Sequence, residues 1–264
     1  MSVVILKDEI VHYEVLGRGR GKPLIFLHGW VGSWRYWISS MQVASTSFRA
    51  YGLDLWGFGE SARDPMHYTI DQQTNLLSRF LDELGIGKVA IVGHGLGALV
   101  GFNFCSLWTQ SVDRMMAISS PIYYDSINSR LRTSSIPDLI NWLGSKTPET
   151  TTALADASKA DPEAITESIR SFQPNGLFEK MRQTQIPCLL VHGQNDPAIP
   201  APAPDNSVNL PHMMHQVVLD GSGHFPMIDE TTRFNRLLTD FLALDSGVSP
   251  RELQMKEEWK RRVR

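Results

Sequence analysis

Residues 88–108 constrain the fold of this chain more than any other stretch. Lys88 to Val92 reads Lys-Val-Ala-Ile-Val, a short β-branched run of buried-strand type. Gly93-His94-Gly95-Leu96-Gly97 follows. Gly95 to Trp108 then reads as a mostly apolar helix, with Leu99, Phe102 and Leu107 among its core candidates. A strand that passes into a helix through three alternating glycines implies a tight turn with the two backbones close together. An ordinary βα turn of any α/β protein has the same outline, so the pentapeptide alone fixes no family.

The pattern recurs along the chain. Pro23 to Leu27 is an apolar strand ending in His28-Gly29-Trp30-Val31-Gly32. Thr46 to Leu55 ends in Asp54-Leu55-Trp56-Gly57-Phe58-Gly59-Glu60-Ser61. Ile186 to Val191 precedes His192-Gly193-Gln194-Asn195-Asp196-Pro197, and Met214 to Leu219 precedes Gly221-Ser222-Gly223-His224-Phe225. Each polar cluster follows the carboxyl end of a strand, where open α/β sheets bind ligands. Strands are predicted near 3–6, 10–16, 23–28, 47–54, 88–93, 113–119, 186–192 and 214–219. Helices are predicted near 33–44, 70–84, 95–109 and 225–244. The first two strands form a hairpin around Asp8-Glu9, and the rest alternate with helices as a parallel sheet requires. Between Pro121 and Gln185 that alternation stops. The segment is helix-compatible and reads as a helical cap inserted after the sixth strand, its apolar residues packing on the core or lining a pocket. Prolines crowd 198–211, so any helix there is short or displaced.

In this order the motifs resemble the α/β-hydrolase superfamily, from about Val3 to Leu244, in its single-domain, capped, esterase- or lipase-like form. The resemblance implies an α/β fold: a mostly parallel eight-stranded sheet flanked by helices. The core is 1–120 and 186–245, the cap 121–185, and 246–264 a basic helical tail. It also implies that 93–97 is a G-x-S-x-G nucleophile elbow. Gly95 then stands at the nucleophile position, Asp196 is the acid and His224 the general base. The backbone N–H groups of Trp30 and Leu96 form the oxyanion hole, and Ser120, Tyr123 and Trp142 are candidate substrate contacts. No cofactor and no metal are implied.

The departure is Gly95 itself. In the intact device a histidine takes the proton of a serine hydroxyl, an aspartate fixes that histidine, and two amides hold the oxyanion. Glycine has no oxygen to attack with, and loss of a nucleophilic serine costs about 10⁶-fold in turnover where it has been measured. The elbow residue normally holds a positive φ, which glycine adopts at little cost. Three functions remain open. One is hydrolysis of a small ester or similar acyl substrate, lost or impaired by Gly95 in a natural pseudoenzyme or an inactivated variant. The second is His/Asp-dyad lyase or cofactor-free oxygenase chemistry. The third is a non-catalytic descendant that binds a small molecule or a protein.

Other features narrow the field. A net charge of −3 leaves no nucleic-acid footprint. No apolar run reaches the roughly 18 residues of a membrane span. The N-terminal residues lack a signal-peptide pattern. Cys105 and Cys188 read as reduced core residues, so a cytoplasmic setting is expected, while a small-molecule substrate or ligand is what the resemblance implies. His28, His94, His192 and Asp54 read as loop organisers, and Ser119 as a ligand contact at most. His67, His212 and His215 lack metal-ligand spacing. Ser249-Pro250 reads as a helix start, and the cations that end 249–264 suit a solvated helix end or a weak contact with an anionic membrane surface or acidic protein.

Overall fold

Eight apolar runs become strands: β1 (Ser2–Leu6), β2 (Glu9–Leu16), β3 (Lys22–Leu27), β4 (Phe48–Leu53), β5 (Val89–His94), β6 (Val112–Ile118), β7 (Cys188–Gly193) and β8 (Met214–Leu219). They come from a computed structural model that describes residues 2–6, 8–19, 21–172, 176–202 and 210–255. The strands form one sheet in the order β1-β2-β4-β3-β5-β6-β7-β8. The β1–β2 and β2–β4 pairs are antiparallel, and every later pair is parallel. The hairpin closes with Leu6 opposite Glu9, and Asp8 turns it at a φ of 66°. β5 and β7 are buried along their whole length, as strands covered by helices on both faces must be.

Registers align the carboxyl ends of the central strands. Leu27 lies opposite Gly93, His94 opposite Ile118 and Gly193 opposite Leu219. The loops after β3, β5, β7 and β8 therefore open on the same edge of the sheet. The helix Leu96–Leu107 is buried on nearly every side because it lies against β5 and between the helices Ile70–Glu83 and Leu177–Arg182. The helix Ile70–Glu83 presents Leu76, Leu77, Phe80 and Leu81 to the core, and Thr69 caps its start by accepting from the Gln72 N–H.

Some local expectations shift. Leu107, expected in the core, is 57% exposed. It lies two residues beyond the buried Cys105, about 200° around the helix, so it faces away from the sheet. The helix expected over 33–44 begins as a 3₁₀ turn, Trp34–Trp37, before the α-helix Ile38–Ala44. The helix expected over 225–244 is two, Pro226–Asp229 and Thr231–Leu242, divided at Glu230 with φ −127° and ψ 46°. Among the described residues, five short α-helices stand between β6 and β7: Arg130–Thr133, Ile136–Leu143, Pro148–Ala153, Pro162–Arg170 and Leu177–Arg182. Cys105 and Cys188 are buried free thiols. Residues 250–255 form a 3₁₀ turn with Leu253 buried. The rest of the basic tail, 256–264, and residues 203–209 of the proline-rich stretch lie outside the described residues.

Candidate functional site

The elbow is built from close backbone contacts. Gly95 follows β5 with φ 50° and ψ −109°, a region in which a side chain is strained. Its N–H donates to the Ile118 carbonyl at 2.9 Å, and the Gly97 N–H donates to the His28 carbonyl at 3.0 Å. A Cβ on Gly93 would stand 2.4 Å from the Gly97 oxygen, and one on Gly97 would stand 2.4 Å from the Leu27 oxygen. Both flanking glycines are thus steric requirements. At Gly95 the space is different: a Cβ would meet Trp30 Cε3 and Cζ3 at 3.2 Å and Gly29 Cα at 3.5 Å. The fully buried Trp30 indole lies beside the place where a side chain at position 95 would begin. Its Nε1 donates to Ser168 Oγ, in the inserted segment, at 3.0 Å.

Asp196 and His224 come from different loops and meet. Asp196 follows β7, and its Oδ1 accepts from the amides of Ala198 (2.8 Å) and Ile199 (3.0 Å). His224 follows β8, with Nδ1 at 2.9 Å from Asp196 Oδ2 and 3.0 Å from Oδ1. Burial works to raise the Asp196 pKa, but the His224 charge and hydrogen bond and the two amides outweigh it and hold the carboxyl at about 2. An ionised Asp196 can only accept, so His224 Nδ1 carries the proton they share, and in that tautomer Nε2 holds the lone pair. That Nε2 is buried and has no hydrogen-bond partner among the described residues.

A second histidine fixes the first. His94 Nε2 lies 2.9 Å from the His224 carbonyl, which can only accept, so Nε2 carries the proton. His94 Nδ1 is then an acceptor for Tyr36 Oη at 2.9 Å, and Tyr36 Oη accepts from the Gly29 N–H. Burial, with the neighbouring His224, lowers the His94 pKa well below its usual value, which agrees with a neutral ring. Ser119 Oγ donates to the same His224 carbonyl at 3.3 Å, from a residue at φ 43°. Tyr36 carried no signal in the sequence, because its link to the site is spatial and lies on a turn with no motif.

The neighbouring loops are tied by buried polar groups. His28 donates from Nδ1 to the Gly29 carbonyl (2.8 Å) and accepts at Nε2 from the Leu55 N–H (3.0 Å), so both ring nitrogens are engaged. Asp54 Oδ2 accepts from His12 Nδ1 (2.8 Å) and the Glu60 N–H (3.1 Å), and Oδ1 from the Trp34 N–H (2.9 Å). Leu96 opens its helix, so its N–H is among the donors that an α-helix leaves without an internal partner.

The three candidate substrate contacts do not share one cavity. Ser120 and Tyr123 line a cavity of about 260 Å³ with Phe178, Arg182, Leu210 and Gln216. Ser120 Oγ is buried there with no partner among the described residues, while Tyr123 is half exposed. Trp142 lies on another cleft, of about 560 Å³, beside Asn195, Pro197 and Gly223. The first space also touches Pro200 and Pro202 and the second Asn195 and Pro197, so both border the stretch after β7. His192, on β7 ahead of that loop, is buried with both ring nitrogens unpartnered among the described residues, and burial lowers its pKa to about 4. Where no metal-ligand spacing was expected, the structure brings His67 together with Glu9 and Asp64, with ligand atoms within 4.8 Å of one another. No helix of the described residues is long and apolar enough to cross a membrane.

A strand-order 1-2-4-3-5-6-7-8 sheet, a glycine-flanked elbow after β5, and a His–Asp pair after β7 and β8 define the α/β-hydrolase fold. Known proteins agree with that assignment. The α/β hydrolase fold family matches residues 22–139. The 2-hydroxy-6-oxo-6-(2'-aminophenyl)hexa-2,4-dienoic acid hydrolase of Metapseudomonas resinovorans is 25% identical over 266 residues, covering 90% of this chain and 90% of that protein. Epoxide hydrolase 4 of Homo sapiens is 29% identical over 123 residues, 45% of this chain and 34% of that protein. A solved hydrolase from Pseudomonas aeruginosa PA01 superposes with a TM-score of 0.81 at 16% identity, over 92% of this chain and 98% of that one. The chain has the α/β-hydrolase fold.

Proposed function

We propose that the protein hydrolyses a small ester or similar acyl substrate by direct attack of water, with the His224–Asp196 dyad as general base. The observation that carries this reading is His224 Nε2: a buried lone-pair nitrogen with no protein partner among the described residues, on a ring oriented by Asp196. Gly95 supplies no oxygen, so no acyl-enzyme forms. A water at Nε2 adds to the substrate carbonyl carbon while its proton passes to Nε2. The tetrahedral oxyanion takes hydrogen bonds from the Trp30 and Leu96 amides. Its collapse breaks the bond to the leaving group, which takes the proton back from His224, giving an acid and an alcohol. The relatives named as hydrolases support the reaction class. Segment 121–185 acts as the cap, Ser168 fastening it to Trp30, and Ser120 and Tyr123 contact substrate in the cavity they line.

One observation favours a second reading. The Trp30 ring packs beside the elbow and is tethered to Ser168, an arrangement that suits a closed, non-catalytic binding protein. Three forms separate the readings: the chain as it stands, His224→Ala and Gly95→Ser. They are assayed with short p-nitrophenyl esters and a fluorophosphonate. The water route predicts slow hydrolysis without covalent labelling, abolished in His224→Ala, and labelling gained only in Gly95→Ser. Hydrolysis by the unmodified chain no faster than by His224→Ala overturns it in favour of binding.

A further inference from the structure

Side chains from two segments distant in sequence converge where the first hairpin meets the loop after β4. Glu9 opens β2, while Asp64 caps the 3₁₀ turn Pro65–His67 that His67 ends. Glu9 Oε2 and His67 Nδ1 are 3.0 Å apart, and Asp64 Oδ2 and His67 Nδ1 are 3.8 Å apart. All three ligand atoms lie within 4.8 Å of one another. Two ligands held at about 2.0–2.2 Å by one Zn²⁺ stand about 3.3–3.6 Å apart in a tetrahedron, and at most about 4.4 Å apart. The histidine-centred pairs already fall close to that range, and small carboxylate rotations bring in the third.

The short Glu9–His67 separation is not an ordinary hydrogen bond. Both atoms are buried, yet neither makes a hydrogen bond of acceptable geometry among the described residues. They approach one another without pointing at one another, as ligands of a common ion do. The other groups of the cluster are already fixed. Asp64 Oδ1 accepts from the Met66 N–H at 2.9 Å, which leaves Oδ2 turned towards His67. The His67 ring rests on Trp56, with centroids 4.4 Å apart and planes at 30°. Ligands held in place beforehand lose less freedom on binding.

We propose that Glu9, Asp64 and His67 form a site for a divalent first-row transition metal ion, with Zn²⁺ as the reference ion. Two carboxylates and a neutral imidazole carry the charge that balances such an ion. The nitrogen donor selects against Mg²⁺ and Ca²⁺, which take oxygen ligands. The ion fastens the first hairpin to the loop after β4. That loop also holds the inserted segment: the Gly57 carbonyl accepts from the Asp161 N–H at 2.7 Å, and Arg63 donates to the Lys159 carbonyl at 2.7 Å. The site is structural and separate from the His224–Asp196 dyad.

The test is isothermal titration and thermal melting of the whole chain, stripped with a chelator and given Zn²⁺ alone. The expected result is one Zn²⁺ per chain with a micromolar or tighter Kd. Tm should rise by about 5–10 °C at a hundredfold excess over Kd. Glu9→Gln and His67→Ala should each weaken binding at least tenfold, while His212→Ala, at an exposed histidine elsewhere, leaves it unchanged. Glu9→Gln keeps the side chain's shape, so its loss of affinity is independent of any folding defect in His67→Ala. The proposal is overturned by absence of Zn²⁺ binding to the unmodified chain, by unchanged affinity in Glu9→Gln and His67→Ala, or by an equal response to Mg²⁺.

Discussion

Gly95→Ala isolates the backbone cost that the elbow imposes on any side chain. Gly95 holds φ 50° and ψ −109°, where a residue with a Cβ is strained by about 1–3 kcal/mol. The new Cβ would also stand 3.2 Å from Trp30 Cε3 and Cζ3, closer than ordinary van der Waals contact, so the indole must retreat by a few tenths of an ångström. Its Nε1 bond to Ser168, at 3.0 Å, resists that movement. Together these effects give a loss of about 1–4 kcal/mol, or a fall in Tm of roughly 2–15 °C for a chain of this size. Gly95→Ser carries the same strain but adds a hydroxyl that, on the proposed reading of the site, His224 Nε2 accepts. It should therefore be more stable than Gly95→Ala by about 0.5–1.5 kcal/mol. Equilibrium urea unfolding of the three forms measures both differences. A Gly95→Ala protein as stable as the unmodified chain refutes the strain argument. Equal stability of the alanine and serine forms refutes the placing of Nε2 within reach of position 95.

Further perturbations test the frame around the site. Gly93→Ala sets a Cβ 2.4 Å from the Gly97 oxygen, backbone against backbone, and should abolish soluble folded protein. Gly87→Ala, with open space around it, should change stability by less than about 1 kcal/mol, and equal soluble yields with matching circular dichroism would contradict the contrast. Asp54→Ala strips the acceptor from His12 Nδ1 and from the Trp34 and Glu60 amides, and should cost about 3–5 kcal/mol in urea unfolding. A loss under about 1 kcal/mol would show that those donors find other partners. His192 titrates near 4 in the folded chain, below the 6.5 of an unfolded histidine. The unfolded state therefore binds its proton first, and stability falls as pH drops from about 6.5 to 4, levelling off below. His192→Leu should flatten that part of the stability profile, and an unchanged slope rules out His192 as its source.

Much of the fold was legible because its signals are local. β-Branched runs, each ended by a glycine-rich polar cluster, specify strands whose carboxyl ends share one edge, and the registers at Gly93, Ile118 and Leu219 show that edge. Asn195-Asp196-Pro197 and Gly223-His224-Phe225 each mark a loop, and the meeting of their side chains at 2.9 Å follows once the strand order is right. What stayed hidden depends on proximity without period or motif. The Tyr36–His94 link spans 58 residues, and His67 lies equally far along the chain from Glu9. Trp142 resembled Tyr123 in type and segment, yet the inserted helices turn the two towards different spaces. Leu107 matched the apolar pattern of its helix, but the pattern does not say where the covering layer ends.

The dyad by itself is weaker ground for catalysis than it first looks. Asp196 also works structurally, since it accepts from Ala198 and Ile199 and so closes the turn after β7. His224 is held through its backbone carbonyl by His94 and Ser119, whatever its ring does. Both residues would therefore have reason to stay buried in a protein without chemistry. Nε2 is the exception, since leaving a buried polar atom without a partner costs about 1–3 kcal/mol. A histidine with only a packing role gains nothing from that cost, and an apolar ring of similar size would avoid it. The cost is offset where a water or a substrate group meets Nε2. The turn at position 95 shows the opposite balance, because glycine there avoids the strain that a side chain would carry. One loop thus carries glycine where a side chain would be strained, while its neighbour keeps a buried nitrogen without a protein partner among the described residues. The proposed activation of water by His224 would reconcile them.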